Sequence, residues 1–178
     1  MRSTFCFILL LIALPLSANA QDQHKYEIAG GYSHMYILGD GKPGWFVSLT
    51  FKKDRWLAVG ADISGHSLEA PPDGSPGESG RKVRLKSFHI GPRVFISTRR
   101  RIIPFIHGLL GVSGVPVKEE DRAHLGNSHV LFSGAIGAGV DYRASDRVAV
   151  RLVQFDLIGV NNEMPKRKRF STAIVFRF

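Results

Sequence analysis

Ionisable side chains recur at alternate positions within apolar stretches of this sequence. The set that such alternation assigns to one side of an extended chain is Glu27, Asp62, His89, Arg93, His107, Asp141 and Arg151. Alternate residues of a strand share a face, so these side chains would point into a common interior. Because an unpaired buried ion is very costly, acids and bases there must neutralise one another. The pattern predicts a salt-bridged polar network that fills a narrow lumen.

Catalysis is the competing use of such residues. Ser87 and His89 share a face, as do His129 and Ser133, and a serine beside a histidine could act as nucleophile and base. An acyl-transfer or hydrolytic site also needs a third group that orients the base. No recognisable constellation supplies it, so we assign no catalytic residue.

Metal and phosphate sites are not indicated. The spacing of the histidines does not match that of paired metal ligands. The histidines are His24, His34, His66, His89, His107, His124 and His129. The glycines occur singly rather than in a phosphate-binding loop that opens a helix. We expect neither metal nor cofactor.

The first residues have the pattern of a secretory signal peptide. Arg2 precedes the apolar run Phe5–Leu14, and Ala18-Asn19-Ala20 offers small residues for cleavage. About ten apolar residues fall short of the roughly twenty that a spanning helix needs. We therefore predict a signal peptide over 1–20 and one mature domain over 21–178. The only cysteine, Cys6, lies in the apolar run, so the mature chain can form no disulfide.

The chain is basic, with a formal net charge of +9. The run Lys166-Arg167-Lys168-Arg169 alone could contact nucleic acid, but export argues against that partner. We expect a solvated loop, with contact to anionic lipid phosphates as the alternative.

Runs of period two after residue 21 predict an all-β protein. The eight predicted strands are Lys25–His34, Gly44–Lys52, Arg55–Gly65, Arg84–Ser97, Ile102–Gly114, His129–Tyr142, Arg147–Ile158 and Arg169–Phe178. Short links (Lys53-Asp54, Thr98–Arg101, Arg143–Asp146) alternate with long ones (Met35–Pro43, His66–Val83, Val115–Ser128, Gly159–Lys168). This alternation puts all turns at one end of an up-and-down sheet and all loops at the other, as in an outer-membrane barrel.

The composition of the two strand faces favours a membrane barrel over a soluble one. In the second predicted strand Trp45, Val47, Leu49 and Phe51 oppose Phe46, Ser48, Thr50 and Lys52; in the sixth, Phe132, Ile136, Ala138, Val140 and Tyr142 oppose Ser133, Ala135, Gly137, Gly139 and Asp141. Small residues with single charges suit a narrow lumen better than a water-exposed face. Aromatic residues at strand ends, where a bilayer interface would hold them, are Tyr26, Trp45, Phe51, Tyr142 and Phe170.

Local irregularities make some registers uncertain. Pro92 and Pro104 each remove a ladder hydrogen bond, so bulges are expected there. Arg151 and Gln154 fall on opposite faces of a regular strand, so either a bulge changes the phase or Gln154 and Asp156 lie near the rim.

The stretches "YEIAGGYS", "AVRLVQFDLIGVNN" and "AIVFRF" together resemble the small OmpA/OmpX-type eight-stranded outer-membrane β-barrels. In lipid such a sheet must close, so the last strand is expected to pair with the first. The resemblance implies that the strand ending in Phe176 and Phe178 carries the signal for the barrel assembly machinery. It also implies an outer-membrane location with periplasmic termini, extracellular loops, contact with outer-membrane lipids and lipopolysaccharide, and a monomer.

Function is expected to be structural or surface-interacting, as in adhesion or envelope integrity, with the lumen plugged by side chains. Two alternatives stay open: a lipid A acyltransferase or deacylase, and a soluble lipocalin-like carrier in the periplasm.

Overall fold

The computed structural model describes residues 24–37, 40–70, 81–96, 101–115, 129–161 and 167–178. The strands are β1 Tyr26–Ile37, β2 Asp40–Lys52, β3 Leu57–Ala70, β4 Arg81–Phe95, β5 Ile102–Val115, β6 His129–Arg143, β7 Val148–Val160 and β8 Arg167–Arg177. Each strand pairs with the next, and β8 pairs with β1, so the sheet is a closed antiparallel barrel. This confirms the predicted fold. Among the described residues, no helix is long and apolar enough to cross a membrane.

The seam between β1 and β8 is continuous from Glu27–Arg177 to Ile37–Arg167. Tyr26 N and Phe178 N each donate to the other residue's carbonyl oxygen at 2.9 Å. The last strand therefore closes the barrel, as the alternation in its sequence predicts.

Two described turns close hairpins at the end of the barrel where β1 begins, which we call the turn end. Between β2 and β3, Asp54 Oδ1 accepts from Trp56 N at 2.7 Å and from Leu57 N at 2.9 Å. Between β6 and β7, Ser145 Oγ accepts from Val148 N at 3.1 Å. In each turn a short polar side chain satisfies backbone amides that the ladder leaves free.

The opposite end, which we call the loop end, differs from prediction because the strands are longer there. β1 runs to Ile37 and β2 starts at Asp40, so the predicted long link Met35–Pro43 is wrong. Polar, glycine and proline residues suggested a loop, but the β1–β2 ladder continues through Lys42 and Pro43. β3 and β7 likewise extend beyond their predicted ends. The predicted signal peptide and the centres of the loops, 71–80 and 116–128, lie outside the described residues.

The bulges expected at Pro92 and Pro104 are absent from the registers of β4 and β5. Pairing resumes in the same register on both sides of Pro92, from Ile90–Leu110 to Arg93–His107. Pro104 accepts from Ile96 N at 2.8 Å, although its ring nitrogen has no hydrogen to return. The prolines each remove a donor without adding a residue, so the strands stay in phase.

The irregularity lies in β7. Arg151 and Gln154 pair with Ala173 and Ser171, so three steps along β7 match two along β8. Leu152 and Val153 are consequently both exposed, while Arg151, Gln154 and Asp156 are all buried. Thr172 Oγ1 donates to the carbonyl oxygen of Arg151 at 2.8 Å. Of the two possibilities left open by the sequence, the structure has the bulge.

Burial alternates along the strands, with small, polar and charged side chains inside and large apolar ones outside. In β2, Trp45, Val47, Leu49 and Phe51 are exposed, whereas Phe46, Ser48 and Thr50 are buried. Three apolar clusters share the bore with the polar groups, and one of them joins Met35, Leu85, Leu109, Ala135 and Ile158. The bore is thus filled by side chains, as expected of eight strands.

Candidate functional site

A continuous network of charged and polar side chains occupies the bore. Arg151 donates to Asp141 through Nε at 2.9 Å and to Gln154 Oε1 through Nη1 at 2.8 Å. Gln154 Nε2 in turn donates to Asp156 Oδ2 at 3.0 Å. The β7 bulge makes this relay possible, because a regular strand would turn Gln154 and Asp156 away from Arg151.

Asp156 connects this relay to the opposite side of the barrel. It accepts from Arg169 Nε at 2.8 Å and lies 2.7 Å from His107 Nε2. Arg169 also donates to Ser64 at 3.1 Å, and its Nη2 lies 3.6 Å from Asp62 Oδ2. The guanidinium of Arg169 in β8 therefore pairs with carboxylates from β7 and β3.

Arg93 continues the network towards β2. Its Nη1 donates to Thr50 at 2.7 Å, and its Nη2 donates to Asp62 Oδ1 at 3.3 Å. The guanidinium carbons of Arg93 and Arg151 lie 5.0 Å and 4.5 Å from the Phe105 ring centroid. The network thus takes side chains from every strand from β2 to β8, and it crosses the bore.

A separate ion group lies at the turn end. Glu27 Oε1 lies 2.6 Å from Lys52 Nζ and 3.0 Å from Arg177 Nε. This group links β1 to both of its neighbours, so it supports the seam from inside.

Glycines make room for the network. A Cβ on Gly137 would lie 2.5 Å from the Phe155 carbonyl oxygen and 2.8 Å from His107 Nε2, and it would also meet Asp156. A Cβ on Gly139 would meet the Phe105 ring, and it would lie 2.9 Å from the Val153 carbonyl oxygen. The absence of a side chain at these positions lets the long ones opposite lie across the bore.

All seven residues predicted for the lumen are buried, with exposures from 0% to 4%. Five of them, Asp62, Arg93, His107, Asp141 and Arg151, belong to the continuous network. Glu27 belongs to the turn-end ion group. His89 is in neither and bonds Ser133 instead, at 2.9 Å.

Arg169 was not among the residues predicted for the lumen: it begins the eighth predicted strand, but its basic run with Lys166, Arg167 and Lys168 was expected to be a solvated loop. In fact Arg169 is 0% exposed, Arg167 is half-buried and Lys168 is exposed, while Lys166 lies outside the described residues. The sequence did contain a signal for this position, which was the alternation of side chains: Arg169 shares a face with Ser171, Ala173 and Val175.

The buried charges of the lumen balance in number. With Asp156 and Arg177 included, the fully or almost fully buried charges of the described residues are four carboxylates and four guanidiniums.

The serine and histidine side chains do not assemble a catalytic triad in the described residues. Ser113 Oγ donates to Ser87 at 2.9 Å and lies 2.9 Å from Ser133, which bonds His89 Nε2. His89 Nδ1 has no hydrogen-bond partner in that part of the chain, so no carboxylate orients the ring. His129 lies at a position whose side chain is outside the described set. In the described ranges, no cluster of three or more histidine, cysteine and acidic residues could hold a metal.

Exposed aromatic residues form two groups on the outside of the barrel. At the turn end, the Tyr26 ring lies 5.3 Å from Phe51 and 6.2 Å from Phe178. Nearer the loop end, Phe170 lies 6.1 Å from Tyr36 and 4.9 Å from Phe155, and Trp45 pairs with Tyr32 across β1 and β2. Of the predicted girdle, Tyr26, Trp45, Phe51 and Phe170 are exposed, and Tyr142 is half-buried at the turn end of β6.

No protein-family model matches the sequence, and neither does any curated protein. Solved structures do match. Neisserial surface protein A has a TM-score of 0.60 at 12% identity, covering 86% of this chain and 97% of the other. The N-terminal β-barrel domain of Pseudomonas aeruginosa OprF has a TM-score of 0.60 at 9% identity, covering 88% and 100%.

The Yersinia pestis outer-membrane protein Ail, solved in a phospholipid bilayer nanodisc, has a TM-score of 0.57 at 13% identity, covering 88% of this chain and 100% of the other. Identities this low establish a shared architecture only. By its closed topology and these likenesses, the chain has the fold of the small eight-stranded outer-membrane β-barrels.

Proposed function

We propose that the protein is an integral outer-membrane β-barrel with a structural or surface-interaction role. The observation that carries this proposal is the composition of the outward face. Among the strand residues whose side chains the structure describes, the charged ones on this face are Arg84, Lys86 and Lys168, all towards the loop end. Elsewhere that face carries large apolar side chains such as Leu49, Leu110, Ile136 and Ile174, each at least half exposed. A water-soluble carrier would turn these residues inward, so the face opposes the lipocalin-like alternative.

Strand length and the aromatic groups support membrane insertion. The strands contain 11 to 15 residues, and a spanning β-strand needs about 9–11. The two aromatic groups lie towards opposite ends of the outer face, where bilayer interfaces would lie. The turn end, with both termini of the barrel, would face the periplasm, and the loop end would face the outside.

The partners of this proposal are outer-membrane lipids, with lipopolysaccharide around the loop end, and the assembly machinery during insertion. Phe176 and Phe178 are about half exposed on the outward face of β8, where such machinery could contact them. A monomer is proposed, because the barrel closes on itself and leaves no free sheet edge.

The filled bore argues against a solute pore. Ion pairs and apolar clusters occupy it, so the function belongs to the outer surface and the loops. The segments 71–80 and 116–128 are the largest candidates for contact with other molecules. The fold is shared with Ail, which is named for attachment and invasion and was also crystallised with the heparin analogue sucrose octasulfate. That likeness makes surface interaction a reasonable role to test first.

Fractionation and gel mobility test the proposal directly. We expect the protein to stay with outer membranes until detergent is added, and unheated samples to migrate differently from heated ones, as closed hydrogen-bonded barrels do. Release without detergent, or a mobility that heating leaves unchanged, would contradict it.

The enzyme alternative has its own test. His89, His107 and His129 can be replaced singly, and lipid A acylation compared with that of cells expressing the native chain. We expect unchanged lipid profiles, since no carboxylate completes the Ser133–His89 pair. A profile altered by a folded variant would favour the enzyme.

A further inference from the structure

A ring of basic side chains surrounds the turn end of the barrel. It consists of Lys25, Lys53, Arg55, Arg101 and Arg147, which we call the turn-end collar. All are exposed except Arg55, which is half-buried. The acidic side chains in the same described turns are Asp54 and Asp146, so cations outnumber carboxylates there.

Ion pairs within the described residues do not engage the collar cations. Lys25, Lys53, Arg101 and Arg147 have no ion-pair partner in the described part of the chain. Asp54 is held by its own turn, because hydrogen bonds from the amides of Leu57 and Trp56 lower the pKa of its carboxyl. Lys53 and Arg55 lower the same pKa through their charge, but less than the two backbone amides do, so the carboxylate mainly stabilises its own turn.

The collar lies next to the aromatic residues of the turn end. Lys25 precedes Tyr26, the centre of the turn-end aromatic group, and the Arg55 guanidinium lies 5.0 Å from the Trp56 ring centroid. Trp56 is 44% exposed, and Arg101 and Arg147 immediately precede the first residues of β5 and β7. An aromatic ring at an interface with a cation just beyond it places positive charge beside phosphates.

We propose that the turn-end collar binds the headgroups of anionic phospholipids in the leaflet next to it. The chemistry is that of multiple Lys and Arg side chains attracting phosphodiesters that carry a net negative charge. The inference rests on the proposed membrane insertion and adds a lipid preference to it. If correct, phosphatidylglycerol-like lipids are enriched around this end of the barrel.

The chain contains two tryptophans that report on its two ends separately. Trp56 adjoins the collar, and Trp45 lies on the outward face of β2 nearer the loop end. Trp45→Phe leaves only the turn-end reporter, and Trp56→Phe leaves only the other. Each protein would be refolded into phosphatidylcholine vesicles containing a fixed fraction of brominated phosphatidylglycerol or, in parallel, brominated phosphatidylcholine, with bromines close to the glycerol.

We expect brominated phosphatidylglycerol to quench Trp56 about threefold more strongly than brominated phosphatidylcholine at low salt. The preference should weaken in Arg55→Gln/Arg101→Gln/Arg147→Gln, which removes three of the five collar cations and leaves Lys25 and Lys53, and it should fade at about 0.5 M salt. The matched control Arg84→Gln/Lys86→Gln/Lys168→Gln removes as many outward cations from the other end and should keep the preference. Trp45 should be quenched to similar extents by the two brominated lipids.

Equal quenching of Trp56 by the two lipids, or a preference that loss of the three collar arginines leaves unchanged, would overturn the proposal. Heat-dependent gel mobility is measured on every sample in the same vesicles. Inserted barrels without lipid preference would contradict the collar alone, whereas failure of the native chain to insert would contradict both proposals.

Discussion

Arg169 donates to Asp156 and Ser64 and lies within ion-pair distance of Asp62, which it shares with Arg93. Removing one partner from a buried pair leaves a charge without compensation. Its neighbour Lys168 has similar chemistry but is exposed on the outer face. The two residues therefore separate the effect of charge from the effect of burial.

Arg169→Met is expected to lower the free energy of unfolding by about 3–5 kcal/mol, whereas Lys168→Met should change it by less than about 1 kcal/mol. Urea titration of the refolded barrel, followed by tryptophan fluorescence, measures both. Equal effects of the two substitutions would mean that the network does not stabilise the barrel.

Glycine positions provide a second contrast between inside and outside. A Cβ at Gly137 would meet the backbone of β7 and the His107–Asp156 pair, but one at Gly108 would have nothing within 4 Å. Gly137→Ala should therefore cost about 1–3 kcal/mol through overpacking, and Gly108→Ala should be close to neutral. The same urea titration compares them, and a larger loss at Gly108 would refute the assignment of faces.

At the scale of elements, the β7 bulge keeps Arg151, Gln154 and Asp156 on one face. Its sequence signal was visible as a phase conflict between Arg151 and Gln154. The extra residue could not be located from β7 alone, since a bulge is defined by the partners in β6 and β8. The faces of β2 and β6 were predictable because uninterrupted alternation sets them.

Strand ends were less predictable than strand faces. Asp40, Gly41, Lys42 and Pro43 have the composition of a loop, yet they pair with β1. The composition of a segment indicates whether it is exposed to water. Strand pairing instead depends on hydrogen bonds to the backbone of the neighbouring strand, so a strand can extend beyond its apolar residues. Composition also misled at Arg169, whose charge suggested solvent although alternation within β8 places it on the inner face.

Deletion of Val153 tests the role of the bulge. Without that residue, regular alternation would still turn Arg151, Gln154 and Asp156 inward, so the barrel should fold and keep its heat-dependent mobility. Deletion of Ile136 from the regular strand β6 should prevent folding, because every residue on one side of the deletion would change face. If both deletions abolish the folded form, the bulge does more than keep Arg151, Gln154 and Asp156 on the inner face.

At the scale of the whole molecule, the network and the seam act together. Hydrogen bonds close the sheet between β1 and β8, and buried charges from β3, β4, β6, β7 and β8 compensate one another across the bore. The outward face needs no polar partner if it contacts hydrocarbon. The presence of compensating charged side chains in the lumen could be predicted from the sequence, since charge in a narrow bore must be balanced. The pairing could not be predicted, because it depends on register and on the β7 bulge.

The central claim is that large apolar side chains meet lipid while the bore excludes it. Methyl-labelled native protein in lipid nanodiscs tests this without any substitution, through nuclear Overhauser contacts with acyl chains and with water. We expect acyl-chain contacts at Val47, Leu49 and Ile174 and none at Ile103, Leu109 and Val175. Acyl-chain contacts confined to the second group, or water contacts along the first, would contradict it.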